Sequence, residues 1–299
     1  MHTNTMEVVV KHMGAAFSVA VIPVLKDNYT YIIHDKTTNT VAAVDVSADT
    51  TPIVDYVERI RRSIDERGAG AMSFSTIFST HKHWDHAGGN VVLPKALKAA
   101  GAFRIIGGVN DNISGVTQTV REGDRLSLGA LQVEVLEAPC HTRGHVLYKV
   151  YHPQAEKDGV ALFTGDTMFV GGIGAFFEGD AAHMCRALRK VYNLHHNATD
   201  KEEADRRTFV FPGHEYTVNF LQFARDTIPP AHPDATFIAS QLERYKESVA
   251  QRKPTVPSTL AEEKRQNLFL RTCDESFVRE MKHGDTAETL MQHLYDTCP

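Results

Sequence analysis

Three histidines and an aspartate fall within one six-residue run, His81-Lys82-His83-Trp84-Asp85-His86. Imidazole nitrogens and a carboxylate oxygen are the donors that zinc and similar borderline divalent metals take. The run follows the apolar stretch Thr76–Ser79 directly. Residues two apart in an extended chain point the same way, so His81 and His83 can serve one ion, and a turn must bring Asp85 and His86 round to a second. The competing reading, a solvated run of surface histidines, predicts no matching donors elsewhere.

Further candidates share one grammar, a donor at the exit of an apolar strand. His145 closes Pro139-Cys140-His141-Thr142-Arg143-Gly144-His145, Asp166 ends Leu162-Phe163-Thr164-Gly165-Asp166, and His214 ends Val210-Phe211-Pro212-Gly213-His214. Glycine before each one lets backbone approach closely. Each is weak alone, since Gly-Asp and Gly-His are common in turns. Together with the first run they make seven candidate ligands (His81, His83, Asp85, His86, His145, Asp166 and His214), enough for two ions sharing a carboxylate. Rival chemistries find little support. There is no Gly-x-Ser-x-Gly elbow and no phosphate-binding Gly-x-x-x-x-Gly-Lys-Ser/Thr loop. Cys140 beside His141 invites a thiol-nucleophile reading, but a Pro-Cys-His turn also occurs without thiol chemistry.

The elements that must position these residues are legible from patterning. Phe17–Val24, Tyr29–His34, Val41–Val46, Thr76–Ser79, Arg104–Gly107, Leu131–Leu136, Val146–Tyr151, Ala161–Thr164 and Thr208–Phe211 read as strands. Pro52–Arg62, Gly88–Ala100 and Ala181–Leu194 read as helices. After Tyr216 strand signals stop, and Asn219–Asp226, Ala235–Arg252, Thr259–Lys264 and Thr286–Tyr295 carry helical spacing. This predicts an α/β protein with a catalytic part over residues 1–215 and a helical part over 216–299.

Composition narrows the partners. The 299 residues carry a net charge of −5, which argues against nucleic acid or an anionic membrane as partner. No apolar run is long enough to span a bilayer. The four cysteines, Cys140, Cys185, Cys273 and Cys298, form no Cys-x-x-Cys pair and predict neither a disulfide framework nor a thiolate zinc site. A reducing, cytoplasmic setting and a monomer are expected.

The whole pattern resembles the metallo-β-lactamase superfamily and, more narrowly, glyoxalase II, the hydroxyacylglutathione hydrolases. The resemblance spans Leu25–Tyr29, Thr80–Asn90, Ala138–His145, Phe163–Phe169, Phe177-Glu178-Gly179, Phe211–Thr217 and Pro257–Glu263. The family's usual Asn-Pro-Phe is here Asn267-Leu268-Phe269. It implies a metallo-β-lactamase αββα sandwich with a C-terminal all-helical, substrate-binding domain. It implies that His81, His83 and His145 hold one divalent ion, that Asp85, His86 and His214 hold another, and that Asp166 bridges them. His141 is then read as a residue supporting the turn. Zinc is the first expectation, with iron or manganese permitted by the same donors. Asp85 and Asp166 are the implied catalytic carboxylates. A water shared by two cations becomes acidic enough to give hydroxide at neutral pH, which would attack a 2-hydroxyacyl thioester such as lactoylglutathione, releasing D-lactate and the thiol.

The substrate end departs from that family. Ala175 stands where a Lys is expected and Phe177 where a Tyr is usual, while Tyr295-Asp296-Thr297-Cys298 replaces Arg-x-x-Lys. Tyr216 matches the family's substrate tyrosine. Fewer cations suit a thiol carrier whose carboxylate is not free. In trypanothione both glycine carboxylates are amidated to spermidine, and the departures resemble the trypanosomatid, trypanothione-using type, with Ile173, Tyr295 and Cys298 near the polyamine. The alternatives are a glutathione-specific glyoxalase II, a mononuclear iron persulfide dioxygenase on the same fold, and a binding protein on an inactive scaffold.

Overall fold

The computed structural model describes residues 6–68, 70–98 and 101–299. Strands β1 (Val9–Met13), β2 (Phe17–Val24), β3 (Asn28–Asp35), β4 (Thr40–Val44), β5 (Ser73–Phe78), β6 (Arg104–Gly108) and β7 (Gln118–Val120) form a first sheet in chain order. The first four are antiparallel, and β4 to β7 run parallel. The second sheet contains β8 (Arg125–Leu128), β9 (Leu131–Glu137), β10 (Val146–Tyr151) and β11 (Val160–Gly165). A short ribbon, β12 (Met168–Phe169) and β13 (Gly172–Ile173), follows. The second sheet is completed by β14 (Thr208–Pro212), parallel to β11, and by β15 (Ser258–Thr259) at its edge.

Strand alternation gives each sheet two apolar faces, and three clusters of buried side chains follow. The central one lies between the sheets, where Tyr31 meets Phe163 and Phe211 with ring centroids 5.4 and 5.3 Å apart and Phe78 meets Tyr148 at 5.0 Å. The outer face of the first sheet is covered by helix α1 (Thr51–Glu66), whose buried Ile53, Val57 and Ile64 form one stripe. Helices α2 (Trp84–Ala87) and α3 (Val92–Ala96) stand near the carboxyl ends of its parallel strands. The outer face of the second sheet is covered by α4 (Ala181–Tyr192) and several C-terminal helices, which share one cluster containing Leu147, Leu162, Leu188, Leu260 and Leu294. The remaining helices are α5 (Lys201–Arg206), α6 (Thr217–Thr227), α7 (Ala235–Ala250), α8 (Leu260–Gln266), α9 (Glu275–Met281) and α10 (Ala287–Thr297). This is the αββα sandwich with a helical C-terminal region.

Two expectations change. The helix read over 88–100 shrinks to α3, Val92–Ala96, with α2 already ended at Ala87, and between them the chain at Gly88 and Gly89 passes hard against other backbone: a Cβ on Gly89 would lie 2.1 Å from the Ser47 carbonyl oxygen. Residues 99 and 100 lie outside the described residues. The C-terminal region also contains a strand, since Ser258 and Thr259 pair with Val210 and Phe209. Two residues are too few to show alternation in sequence. The four cysteines are free, and no described helix is long and apolar enough to cross a membrane.

Candidate metal centre

Parallel strands discharge their carboxyl ends along one edge, and ligand sites gather there. In this molecule β4, β5 and β6 of one sheet and β11 and β14 of the other end at the same place. Immediately beyond them stand Asp45, Thr80-His81, Asp111, Asp166 and His214. The loop entering β10 delivers His141 and His145 to the same edge. Two glycines make the crowding possible. Gly165 holds φ +47°, and a Cβ there would lie 2.4 Å from Thr80 Oγ1. A Cβ on Gly213 would lie 2.2 Å from Asp166 Oδ1.

The donors converge in two groups. In the first, His83 Nδ1 lies 3.0 Å from both His81 Nε2 and His141 Nε2, and His141 Nε2 is 3.4 Å from Asp166 Oδ2. In the second, His86 Nε2 lies 3.3 Å from His214 Nε2, each is 3.4 Å from Asp85 Oδ2, and Asp166 presents Oδ1 to His86 at 3.4 Å and Oδ2 to His214 at 3.3 Å. Donors placed about 2.0–2.1 Å from a tetrahedral zinc stand roughly 3.3 Å apart from one another. The second group matches that spacing, and the first does so except that His81 Nε2 stands 4.0 Å from Asp166 Oδ2. Asp166 Oδ1 is buried with no hydrogen-bond partner, a costly state for a carboxylate oxygen unless a cation faces it. The donor set and the orphaned oxygen both fit divalent ions.

The imidazoles are aimed from behind. Thr80 Oγ1 donates to Asp45 Oδ2 at 2.8 Å and so accepts from His81 Nδ1 at 3.0 Å, while His86 Nδ1 donates to Asp45 Oδ2 at 3.1 Å. His214 Nδ1 donates to Asp27 Oδ1 at 3.1 Å, and His141 Nδ1 donates to the Ala175 carbonyl at 3.0 Å. With the proton on Nδ1 in each case, the Nε2 lone pair is left for the centre. Asn28 Nδ2 donates to Asp85 Oδ2 at 2.8 Å. Asp111 joins the two ligand loops by accepting from the Lys82 N–H at 2.7 Å and from Thr142 Oγ1 at 2.9 Å.

His145 is where the expected ligand set must be corrected. It is buried with the others, but its Nε2 accepts from the Asp166 N–H at 3.1 Å and its Nδ1 faces Thr167 Oγ1 at 3.1 Å. Both ring nitrogens serve the turn after β11, so no lone pair remains. His141 occupies the place expected of His145, and the supporting role expected of His141 falls to His145.

Electrostatics divide the two groups. Burial, and then its neighbour His86, pull the His81 imidazole well below its usual range, and burial also lowers His141 and His145. Burial acts in the same direction on His86, but Asp166, Asp45 and Asp85 outweigh it and raise that group. For His214 the same contest, against Asp166 and Asp85, ends at about 10. Burial would raise Asp166, yet His86 and His214 hold it well below the usual carboxylate range. The second group therefore demands positive charge, as two carboxylates facing two imidazoles must.

The mouth of the centre is lined by Trp84, Phe177 and Tyr216, with Trp84 64% and Phe177 68% exposed. Beside it opens a cavity of about 520 Å³ lined by Phe169, Ile173, Ala175, Tyr216, Tyr295 and Cys298, among others. Five of the six expected substrate residues meet there. Phe177 does not join them. Its ring packs on His83 and His141, with centroids 5.8 and 5.0 Å away. Asp45 and Asp111 were not singled out by sequence reasoning, and Asp27 and Asn28 entered it only within the family-like segment Leu25–Tyr29, without a role. Asp45 follows the β4 strand by the same strand-exit rule that found Asp166, and that signal could have found it.

The αββα sandwich and the clustered His and Asp donors together define a metalloprotein. The sequence profile of the metallo-beta-lactamase superfamily matches residues 50–216, and that of the hydroxyacylglutathione hydrolase C-terminus matches 215–296. A metallo-beta-lactamase from Staphylococcus aureus superposes with a TM-score of 0.58 at 18% identity, covering 100% of this chain and 68% of that one. The chain is 36% identical over 251 residues to the cytoplasmic hydroxyacylglutathione hydrolase of Arabidopsis thaliana, covering 84% of this chain and 86% of that protein. It is 33% identical to the hydroxyacylglutathione hydrolase of Dictyostelium discoideum, covering 83% and 85%. The chain belongs to the hydroxyacylglutathione hydrolase (glyoxalase II) family and is a thioester hydrolase with a divalent metal site.

Proposed function

We propose that the enzyme hydrolyses 2-hydroxyacyl thioesters at a two-metal centre, in the cytoplasm and as a monomer, and that its preferred thiol carrier is trypanothione. His81, His83 and His141 would hold one ion, Asp85, His86 and His214 the other, with Asp166 between them. Two divalent ions there supply Lewis acidity, acidifying water and polarising a carbonyl oxygen. The chain's own part is orientation. Asp85, held by Asn28, and Asp166, held by its own N–H to His145, fix where the acyl carbon must sit relative to both halves. Burial pushes the Tyr216 hydroxyl up to about 12, so it stays a donor. Its ring stacks on His214 at 4.8 Å, at the junction of metal mouth and side cavity, where it can hydrogen-bond the carrier. A thiolate leaves from a thiol of pKa about 8.5, so a strong general acid is not required.

The carrier preference rests on one observation: the described residues lining the side cavity include no lysine or arginine. A free glycine carboxylate would find no cationic partner there. A spermidine amide, cationic itself, would meet the aromatic rings of Phe169, Phe220 and Tyr295. The test compares kcat/KM for lactoyl-trypanothione and lactoylglutathione, with chelator as a control that should abolish both activities. The trypanothione thioester is expected to be favoured at least tenfold, and Ala175→Lys should narrow the gap. Equal or better use of the glutathione thioester by the unaltered enzyme refutes the preference.

A further inference from the structure

The ribbon β12–β13 links three parts of the site. It begins two residues after Asp166, it places Phe169 and Ile173 in the side cavity, and it runs on through Gly174 to Ala175, whose carbonyl accepts from His141. Each strand is only two residues long, and Met168–Ile173 and Phe169–Gly172 are its pairings. So short a ribbon does not hold its own shape in water. Its turn must be held from outside.

The holder is α8. Glu263 Oε2 accepts from the Gly171 N–H at 2.8 Å, and Asn267 Nδ2 donates to the carbonyls of Phe169 at 3.2 Å and Gly172 at 3.0 Å. Asn267 Nδ2 also donates to Glu263 Oε2 at 3.2 Å, which ties the pair together. The amide orientation is decided by its partners: Nδ2 faces three acceptors, while Oδ1 accepts from the Leu270 N–H at 3.1 Å. Both side chains are wholly buried. Helix α8 is started by a reciprocal cap between Thr259 and Glu262, so the next residue, Glu263, faces inward.

We propose that Glu263 and Asn267 are positioning residues that clamp this ribbon from the C-terminal helical region and thereby set the shape of the thiol-side cavity. The proposal rests on the thioester reading of the site and not on which thiol is preferred. The clamp touches no reacting atom. Loosening it should displace Phe169 and Ile173, weakening grip on the carrier rather than the chemical step.

The test uses lactoylglutathione, lactoyl-trypanothione and the lactoyl thioester of N-acetylcysteamine, which is too short to fill the side cavity. For Asn267→Ala, assayed well below its melting temperature with metal content verified, KM for the better long thioester should rise at least fivefold with kcat within twofold. Its kcat/KM for the short thioester should stay within twofold. Glu263→Ala should behave alike, and Glu263→Gln, which keeps an oxygen for the Gly171 N–H, should restore KM to within twofold of the original. An unchanged KM in folded Asn267→Ala and Glu263→Ala, or an equal loss on long and short thioesters, overturns the clamp. Failure of the unaltered enzyme to hydrolyse any of the three would instead overturn the thioester reading.

Discussion

Replacing His141 and His145 separately by alanine distinguishes a metal donor from a turn support. His141 Nε2 is one of four donor atoms in the first group, beside His81, His83 and Asp166. A tightly held protein zinc is worth about 10–16 kcal/mol, so one donor of four carries roughly 3 kcal/mol, or on the order of 100-fold in affinity. His145→Ala removes no free lone pair. It leaves the Asp166 N–H buried without an acceptor and takes a partner from Thr167. An unsatisfied buried donor costs about 1–3 kcal/mol, roughly 2–5 °C in melting temperature for a chain of this size. The assay is metal content by mass spectrometry after dialysis against graded chelator, with thermal melts at saturating metal. His141→Ala should fall toward one ion per chain at chelator levels where the unaltered protein keeps two. His145→Ala should keep two and melt earlier. If His145→Ala loses one ion while His141→Ala keeps both, the reading of the two imidazoles is wrong.

Asp45→Asn should cost 10- to 100-fold in metal affinity, because one carboxylate orients both His86 and, through Thr80, His81; chelator competition reads it, and a change under twofold counts against the relay. Glu263 makes a pH prediction. Burial pushes its carboxyl up to about 7 from an ordinary 4.5. The folded state then binds the proton more tightly than the unfolded chain, so this group's stabilisation is full below about pH 4.5 and is lost as pH rises through about 7. Urea melts between pH 5 and 8 should show stability falling with pH in the unaltered protein by about 2–3 kcal/mol more than in Glu263→Gln. Parallel pH profiles of the two proteins refute it.

What the sequence determined by itself is the donor inventory and its place on the elements. Spacing within a strand or turn is a local property, so His81-x-His83-x-Asp85-His86, the strand-exit rule for Asp166 and His214, and the glycines that admit them were legible without tertiary structure. The nine strands expected from patterning are all present, mostly as short runs rich in β-branched and aromatic residues, whereas β1, β7 and β8, three to five residues long, were not read from it. The two-residue strands of β12, β13 and β15 leave no mark. The choice between His141 and His145 could not be read locally. Four residues apart in one loop, they are equivalent in sequence, and the decision lies in contacts with Ala175 and Asp166, 34 and 21 residues away. Asp27 and His214, 187 residues apart, meet only because β3 runs beside the exit of β14. The same holds for Glu263 and Asn267. Their motif was visible as a family mark, but which loop they grip is decided by where α8 packs. Local chemistry names the donors, and only long-range packing decides where each lone pair points.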